Sequence, residues 1–313
     1  VLTHGWVVDG DGKQMHKSAG NAVSPNEIID KSGAEILRLW AAAVEFTQDV
    51  RVSDEILSRV VDAYRKFRNT LRYALGNLEG FNPETDSVAY ENLQEIDRWA
   101  LASLDKTIET TLEAYKKFNF QVAYRTLYDL ANVTLSQTYF DIVRDRLYIS
   151  APNSEARRSA QTAVYKIVDA LSRMLAPILA FTSDEAFENL PMQKVDSVHL
   201  SEFPAASGID EEELLANWER IFSVRDVVLK QLEDARNEKQ IGSSLQAKVE
   251  LTVDSETYEF LTPYLSELPF IFIVSQVELK EGESLSAKVL EADGNKCERC
   301  WNFSTKVGEY EEF

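Results

Sequence analysis

Cysteine is almost missing from this chain of 313 residues: Cys297 and Cys300 are the only two. A disulfide framework is therefore excluded, and a reducing, cytoplasmic setting is expected. Long apolar runs are missing too. Runs such as "LSRMLAPILAF" at 171–181 and "FIFIV" at 270–274 fall well short of the roughly 20 residues that cross a bilayer. The opening residues carry no signal-peptide pattern. Positive charge is in deficit, with 33 Lys and Arg against 52 Asp and Glu and a formal net charge of -19. That total argues against a broadly basic nucleic-acid surface, because phosphate binding draws on Lys and Arg and the counterions they release. Acids gather at Asp210 to Glu213 and Glu309 to Glu312, while bases cluster in "YRKFRNTLR" (64–72), "RDR" (144–146) and "ARR" (156–158). An acidic body with local basic faces fits this pattern. Glycine, finally, is absent between Gly80 and Gly208, which leaves that stretch to helices.

What is present supports a sizeable core. At 44% hydrophobic, a chain of this length is expected to form two domains and a small third. It begins with Val inside what reads as a strand, "VLTHGWVV", and stops at "GEYEEF" with no capping element. The expectation is a segment of something longer.

Asp9-Gly10-Asp11-Gly12 is a strong turn signal, since glycine takes positive φ at no steric cost. The loop that follows ends at Ser24-Pro25-Asn26-Glu27, which predicts an N-cap at Ser24, Pro25 in the first turn and a capping box closed by Glu27. Gly33 then ends a short helix before "AEILRLWAAAV" opens another. Over 54–79 the set Tyr64, Phe67, Leu71, Leu75 and Leu78 recurs at helical spacing. Further amphipathic helices are predicted at about 92–118, 121–148, 155–181 and 211–238. Tyr124, Tyr128, Tyr139 and Phe140 are read as core. Beyond the helices, "AKVELTVD" (247–254) and "FIFIVSQVELK" (270–280) predict strands around a helical "SETYEFLTPYL". The fold class is mainly α: an antiparallel helix bundle followed by a small α+β unit.

Three constellations could carry chemistry. "DGDGKQMHKSAGN" (9–21) combines lysines, a serine and small residues that suit a polyphosphate; an exposed hairpin with solvated lysines is the other account. On "DAYRKFRNTLRYALGNL" (62–78), Arg65, Arg68, Asn69 and Arg72 form one polar edge able to offer forked donors to phosphates, or simply a solvated edge that pairs with acids. "GNKCERCWNF" (294–303) holds a Cys-x-x-Cys knuckle, half of a four-ligand zinc site or a redox dithiol.

Together these residues carry a family resemblance. "GKQMHKSAGNAVSP" resembles the Lys-Met-Ser-Lys-Ser loop of class I aminoacyl-tRNA synthetases. "GAEILRLWAAAVEFTQDVRVSDEIL…YRKFRNTLRYALGNLEGFNP", "YFDIVRDRLY", "RRSAQTAVY", "LAPILAFTSDEAF", "ARNEKQIGSSLQAKVEL" and "CERCW" are similar to the bacterial isoleucyl branch of that family over essentially the whole chain. The resemblance implies the end of a Rossmann catalytic domain over 1–52, a helical anticodon-binding domain over 53–205, a C-terminal helix and small α+β unit over 206–290, and a partial zinc knuckle over 291–313. It implies an ATP-dependent ligase with ATP, isoleucine and tRNA(Ile) as partners, magnesium accompanying ATP, no membrane, and a monomer.

By the same resemblance, Gln14, Met15, His16, Lys17 and Ser18 form the ATP-binding loop, with Lys17 as its catalytic charge. Gln14 replaces the family's first lysine and His16 its first serine. Arg65, Arg68, Asn69, Arg72 and Trp301 are implied to touch tRNA, although Trp301 also suits a lid over the knuckle. Cys297 and Cys300 are implied to hold one zinc ion in part. The family's His-Ile-Gly-His signature, isoleucine pocket and editing region have no counterpart here, so the chain alone is expected to be inactive. Two alternatives are the same region of a valyl enzyme and a non-catalytic helical interaction module with a metal knuckle.

Overall fold

Val7–Val8 (β1) pairs in parallel with Val50–Arg51 (β2), so the strand expected over "VLTHGWVV" shrinks to two residues. The backbone just upstream is engaged elsewhere: the Gly5 N–H donates to the Phe46 carbonyl at 2.9 Å, and that of Trp6 to Asp49 Oδ1 at 2.7 Å. A Cβ at Gly5 would lie 2.1 Å from the Gln48 carbonyl oxygen, so glycine is required by this close approach. In this computed structural model, residues 2–192 and 195–309 are described. Glu311 and Glu312 of the closing acidic run lie outside them. By internal packing the chain forms two units, Val1–Tyr139 with Pro152–Asp210, and Phe140–Ala151 with Glu211–Phe313.

The first unit is helical. Pro25–Ser32 (α1) has Pro25 in its first turn, and Ser24 occupies the N-cap position. The expected capping box does not form, because the Ser24 side chain makes no capping bond. Gly33, at φ 90°, separates α1 from Ala34–Ala43 (α2). Asp54–Gly76 (α3) is capped by Ser53 Oγ, which accepts from the Ile56 N–H at 3.3 Å. Glu95–Lys116 (α4) follows.

The run predicted over 121–148 comprises Phe120–Asp129 (α5), a π-helical stretch Leu130–Tyr139, and Phe140–Tyr148 (α6). The π-helical turn spreads the backbone ladder, and Thr70 Oγ1 of α3 reaches its Ala131 carbonyl at 3.1 Å and Ser136 Oγ at 2.8 Å. The helix predicted over 155–181 is two: Glu155–Leu175 (α7) and Ala180–Glu188 (α8). α2 satisfies the backbone groups freed at this break. Arg38 donates to the Pro177 and Ile178 carbonyls at 2.6 and 2.9 Å, while Glu35 accepts from the N–H groups of Phe181 and Thr182 at 2.9 and 3.0 Å.

Phe67, Leu71, Leu127, Leu135, Tyr139, Ile167 and Leu171 build the core. Tyr124 and Tyr128 stack on each other and meet Phe67 edge-on, which assigns them to packing. Asp97, fully buried, accepts from the Tyr139 hydroxyl at 2.7 Å and from Ser159 Oγ at 2.5 Å.

The second unit sets Glu212–Asn237 (α9) on a three-stranded sheet. Ala247–Val253 (β3) is central, parallel to Gln276–Glu281 (β4) and antiparallel to Ser286–Glu291 (β5). Ala247, Val249, Leu251 and Val253 alternate into the core. The crossover carries Ser255–Leu261 (α10) and Leu268–Phe272 (α11). The latter corrects the strand expected from "FIFIV". Pro269 cannot donate to a ladder but suits a first helical turn, and Leu268, Ile271 and Phe272 bury one helical face. Ile273, in the left-handed conformation at φ 58°, ends the helix. Arg225 of α9 is 5% exposed; it donates to the Ile271 carbonyl at 2.8 Å and pairs with Asp141 at 3.3 Å. Burial pushes its pKa down and Asp141 opposes that. None of the helices among the described residues is long and apolar enough to cross a membrane.

Candidate phosphate loop, basic helix edge and cysteine knuckle

No residue of the segment 9–21 is buried, so its shape rests on polar bonds. Asp9 Oδ1 accepts from the Asp11 and Lys13 N–H groups at 3.0 and 2.8 Å, and Asp9 Oδ2 accepts from Asn21 Nδ2 at 2.8 Å. These donors, Asn21 foremost, hold the Asp9 carboxyl below its ordinary value. Asn21 also donates to the Gln14 carbonyl at 3.1 Å and accepts from the His16 N–H at 2.9 Å. Gly12, at φ 82°, supplies the left-handed turn; a Cβ there would come within 3.3 Å of the Arg51 guanidinium. Lys17–Ala19 form one 3-10 turn closed by Gly20 at φ 68°.

In that turn the Lys17 and Ser18 side chains are exposed, as are those of Gln14 and His16, while Met15 is half-buried. Lys17 has no ion partner among the described residues, whereas Lys13 lies 3.7 Å from Asp11. A free ammonium on a polar, glycine-bounded turn is chemically suited to phosphate oxygens. By residue type Asp9 reads as a turn residue, and Asn21 carries no functional signal of its own. The available signal is two Asx side chains, each able to bond loop backbone, at either end of a polar loop.

The helix edge divides. Arg65, Arg68, Asn69 and Arg72 are all exposed on α3. Arg65 pairs with Asp62 at 3.1 Å and borders a groove between α1 and α3. Arg68 and Arg72 have no ion partner among the described residues and front a different groove, of about 430 Å³, with Thr182 and Glu185 of α8, and Asn189 just past its end, on the far wall. The edge thus offers two uncommitted guanidinium groups rather than three.

The knuckle lies in the second unit, on a hairpin of Asn295–Lys296 (β6) and Phe303–Ser304 (β7). The Cys297 N–H donates to the Asn302 carbonyl at 2.8 Å, and the Trp301 N–H to the Cys297 carbonyl at 3.0 Å. Backbone N–H groups of Cys300 and Arg299, then the Cys300 thiol, face the Cys297 sulfur and lower its pKa. Such donors favour the thiolate that a metal needs. Yet no group of three or more His, Cys, Asp or Glu converges among the described residues. The pair fits two of zinc's four positions and does not make a closed site. Trp301, at φ 66° and 61% exposed, stands with Lys296 Nζ 4.7 Å from its ring centroid and leaves much of its surface open to solvent.

Residues 1–53 match the model of class I tRNA synthetases of the I, L, M and V type, and residues 97–251 match the anticodon-binding domain of tRNA ligase. An isoleucine–tRNA ligase of Syntrophotalea carbinolica is 48% identical over 100% of this chain and 35% of its own length. That of Caldicellulosiruptor bescii is 45% identical over the same shares, and one of Staphylococcus epidermidis is 44% identical over 98% and 34%. The chain therefore spans about a third of these relatives.

Among solved structures, the Agrobacterium radiobacter K84 agnB2 LeuRS, in a ternary complex with tRNA and LeuAMS, aligns over 93% of this chain and 33% of its own (TM-score 0.51, 14% identity). A Mycobacterium tuberculosis methionyl-tRNA synthetase with methionyl-adenylate aligns over 66% of this chain and 42% of its own (TM-score 0.51, 18% identity). At these identities the likeness concerns the fold. With isoleucine–tRNA ligases similar to it from end to end and two synthetase models matched along it, the chain belongs to the class I tRNA synthetase family.

Proposed function

We propose that the chain is the anticodon-binding part of an isoleucine–tRNA ligase, together with the loop that meets ATP. The observation that carries this is the similarity to an isoleucine–tRNA ligase over 100% of the chain. In the reaction, isoleucine's carboxylate attacks the α-phosphate of ATP and pyrophosphate leaves; the isoleucyl group of the adenylate then passes to the tRNA 3′ end and AMP leaves. Lys17 opposes negative charge that builds on the phosphates in the first step, and the backbone of residues 14–18 holds it there. Gln14 and His16 offer hydrogen-bonding groups where the related loop has a lysine and a serine. Magnesium accompanies the ATP.

Residues 1–52 then close the catalytic domain, 53–205 bind tRNA(Ile), 206–290 support that binding, and 291–313 carry the knuckle. Arg68 and Arg72, both free of ion partners, meet the RNA backbone with Asn69, and Arg65 joins them on releasing Asp62. Trp301 stacks on a base through its open surface. Cys297 and Cys300 would take two of the four positions on a zinc ion. The protein works as a monomer in the cytoplasm.

Binding of the chain to isoleucine and valine tRNAs at two salt concentrations, with and without zinc, tests this reading. The expected result is preference for isoleucine tRNA, with Arg68→Ala or Arg72→Ala each lowering the salt slope by about one. Equal affinity for both tRNAs would defeat the assignment. The chain by itself is expected to give no ATP–pyrophosphate exchange.

A further inference from the structure

Asp9 and Asn21 face each other across the segment that carries Lys17, and each grips loop backbone from its own end. Asp9 takes the N–H groups of Asp11 and Lys13. Asn21 takes the His16 N–H and gives one amide hydrogen to the Gln14 carbonyl. Its other amide hydrogen closes the ring to Asp9. Both amide hydrogens and the amide oxygen of Asn21 are thus committed, and the side chain holds the residue that immediately precedes Lys17. With Met15 only half-buried and no residue between 9 and 21 buried, polar bonds dominate the control of this shape. Released, a loop of this length regains conformational freedom at each residue, and Lys17 spreads over many positions.

We infer that Asp9 and Asn21 are positioning residues, a polar pin that holds Lys17 where charge develops on ATP. The inference rests on the loop reading above. It concerns which groups aim the lysine and leaves the lysine's own role as already proposed.

The pin has a polarity that can be reversed. In Asn21→Asp a second carboxylate meets Asp9, and both the cross-loop hydrogen bond and the donor to Gln14 are lost. The exchange Asp9→Asn with Asn21→Asp restores a donor facing an acceptor at the junction. It also keeps an acceptor for the His16 N–H and one for those of Asp11 and Lys13.

Two measurements test the pin. In this chain, tryptic cleavage after Lys13 and Lys17 is expected to accelerate about tenfold in Asn21→Asp and to return to within about twofold of the parent in the exchanged pair. In the complete ligase carrying this segment, kcat for ATP–pyrophosphate exchange is expected to fall about tenfold in Asn21→Asp, with the isoleucine KM unchanged, and to recover in the exchanged pair. Unchanged cleavage in Asn21→Asp overturns the pin. So does normal exchange in Asn21→Asp while Lys17→Ala is slow, or a loss that the exchanged pair does not recover. If Lys17→Ala leaves the exchange rate untouched, the loop reading falls and the positioning role falls with it.

Discussion

Two carboxylates, Asp9 and Asp97, organise two regions of this molecule in the same way and at very different depths. Asp9 gathers backbone N–H groups and the Asn21 amide in a segment where nothing is buried. Asp97 gathers the Tyr139 and Ser159 hydroxyls between α4, the π-helical stretch and α7, with no exposed surface of its own. A polar hub in water competes with solvent for every bond, so each contributes little and the segment can open. A polar hub in the core has no such competitor, and its partners cannot be rehydrated when it is lost. The first arrangement suits a loop that handles a ligand; the second suits a bundle that must keep one register.

Removing the hubs should expose that difference. Asp97→Ala strands two buried hydroxyls and leaves a gap, and should cost about 3 kcal/mol, read as a lower urea midpoint with an unchanged m-value. Glu35→Ala comes next. It leaves the Phe181 and Thr182 N–H groups at the start of α8 without their acceptor, which should cost about 2 kcal/mol. If either change is neutral, depth does not govern the worth of these hubs.

Asp184 lies between the extremes and can be read by pH. Ser197 Oγ donates to it at 2.7 Å and the Val198 N–H at 2.9 Å. Its carboxyl is held below the ordinary value of 3.8, chiefly by the Ser197 bond. A depressed folded-state pKa contributes stability above the unfolded value and loses it as pH falls through the folded one. The stability deficit of Asp184→Ala should therefore be constant near neutrality and shrink as the pH drops below 3.8. A deficit that persists undiminished at pH 2 would show that lost packing, not charge, explains it.

Much of this was legible in residue order, for reasons that differ by element. The absence of glycine between Gly80 and Gly208 and the spacing of Phe67, Leu71 and Leu78 are local facts, and they set the helices. The break between α7 and α8 was not legible from "LAPILAF" because its stability comes from Glu35 and Arg38, roughly 140 positions upstream. α11 was hidden by composition: an apolar run of five suits a strand or a short buried helix equally, and Pro269 was the deciding residue. β5 was not anticipated, since its pairing with β3 is a tertiary fact. In the loop the residue types suggested phosphate chemistry. The Asp9–Asn21 pin is not legible there, because it joins the two ends of the segment.

The smallest expected effect closes the comparison. Lys17 is exposed and forms no ion pair among the described residues, so no bond of its side chain holds the fold. Lys17→Ala should leave the urea midpoint of the chain within about 0.5 kcal/mol of the parent, while slowing adenylate formation in the complete ligase. Asn21→Asp should be nearly as mild on global stability, since the bonds it loses are local and solvent-facing, yet it should open the loop to trypsin. Two residues four positions apart would then separate chemistry from positioning at almost no cost to folding. A large midpoint shift in either variant would mean that the loop helps hold the bundle, and that its exposed surface is a poor guide to what it supports.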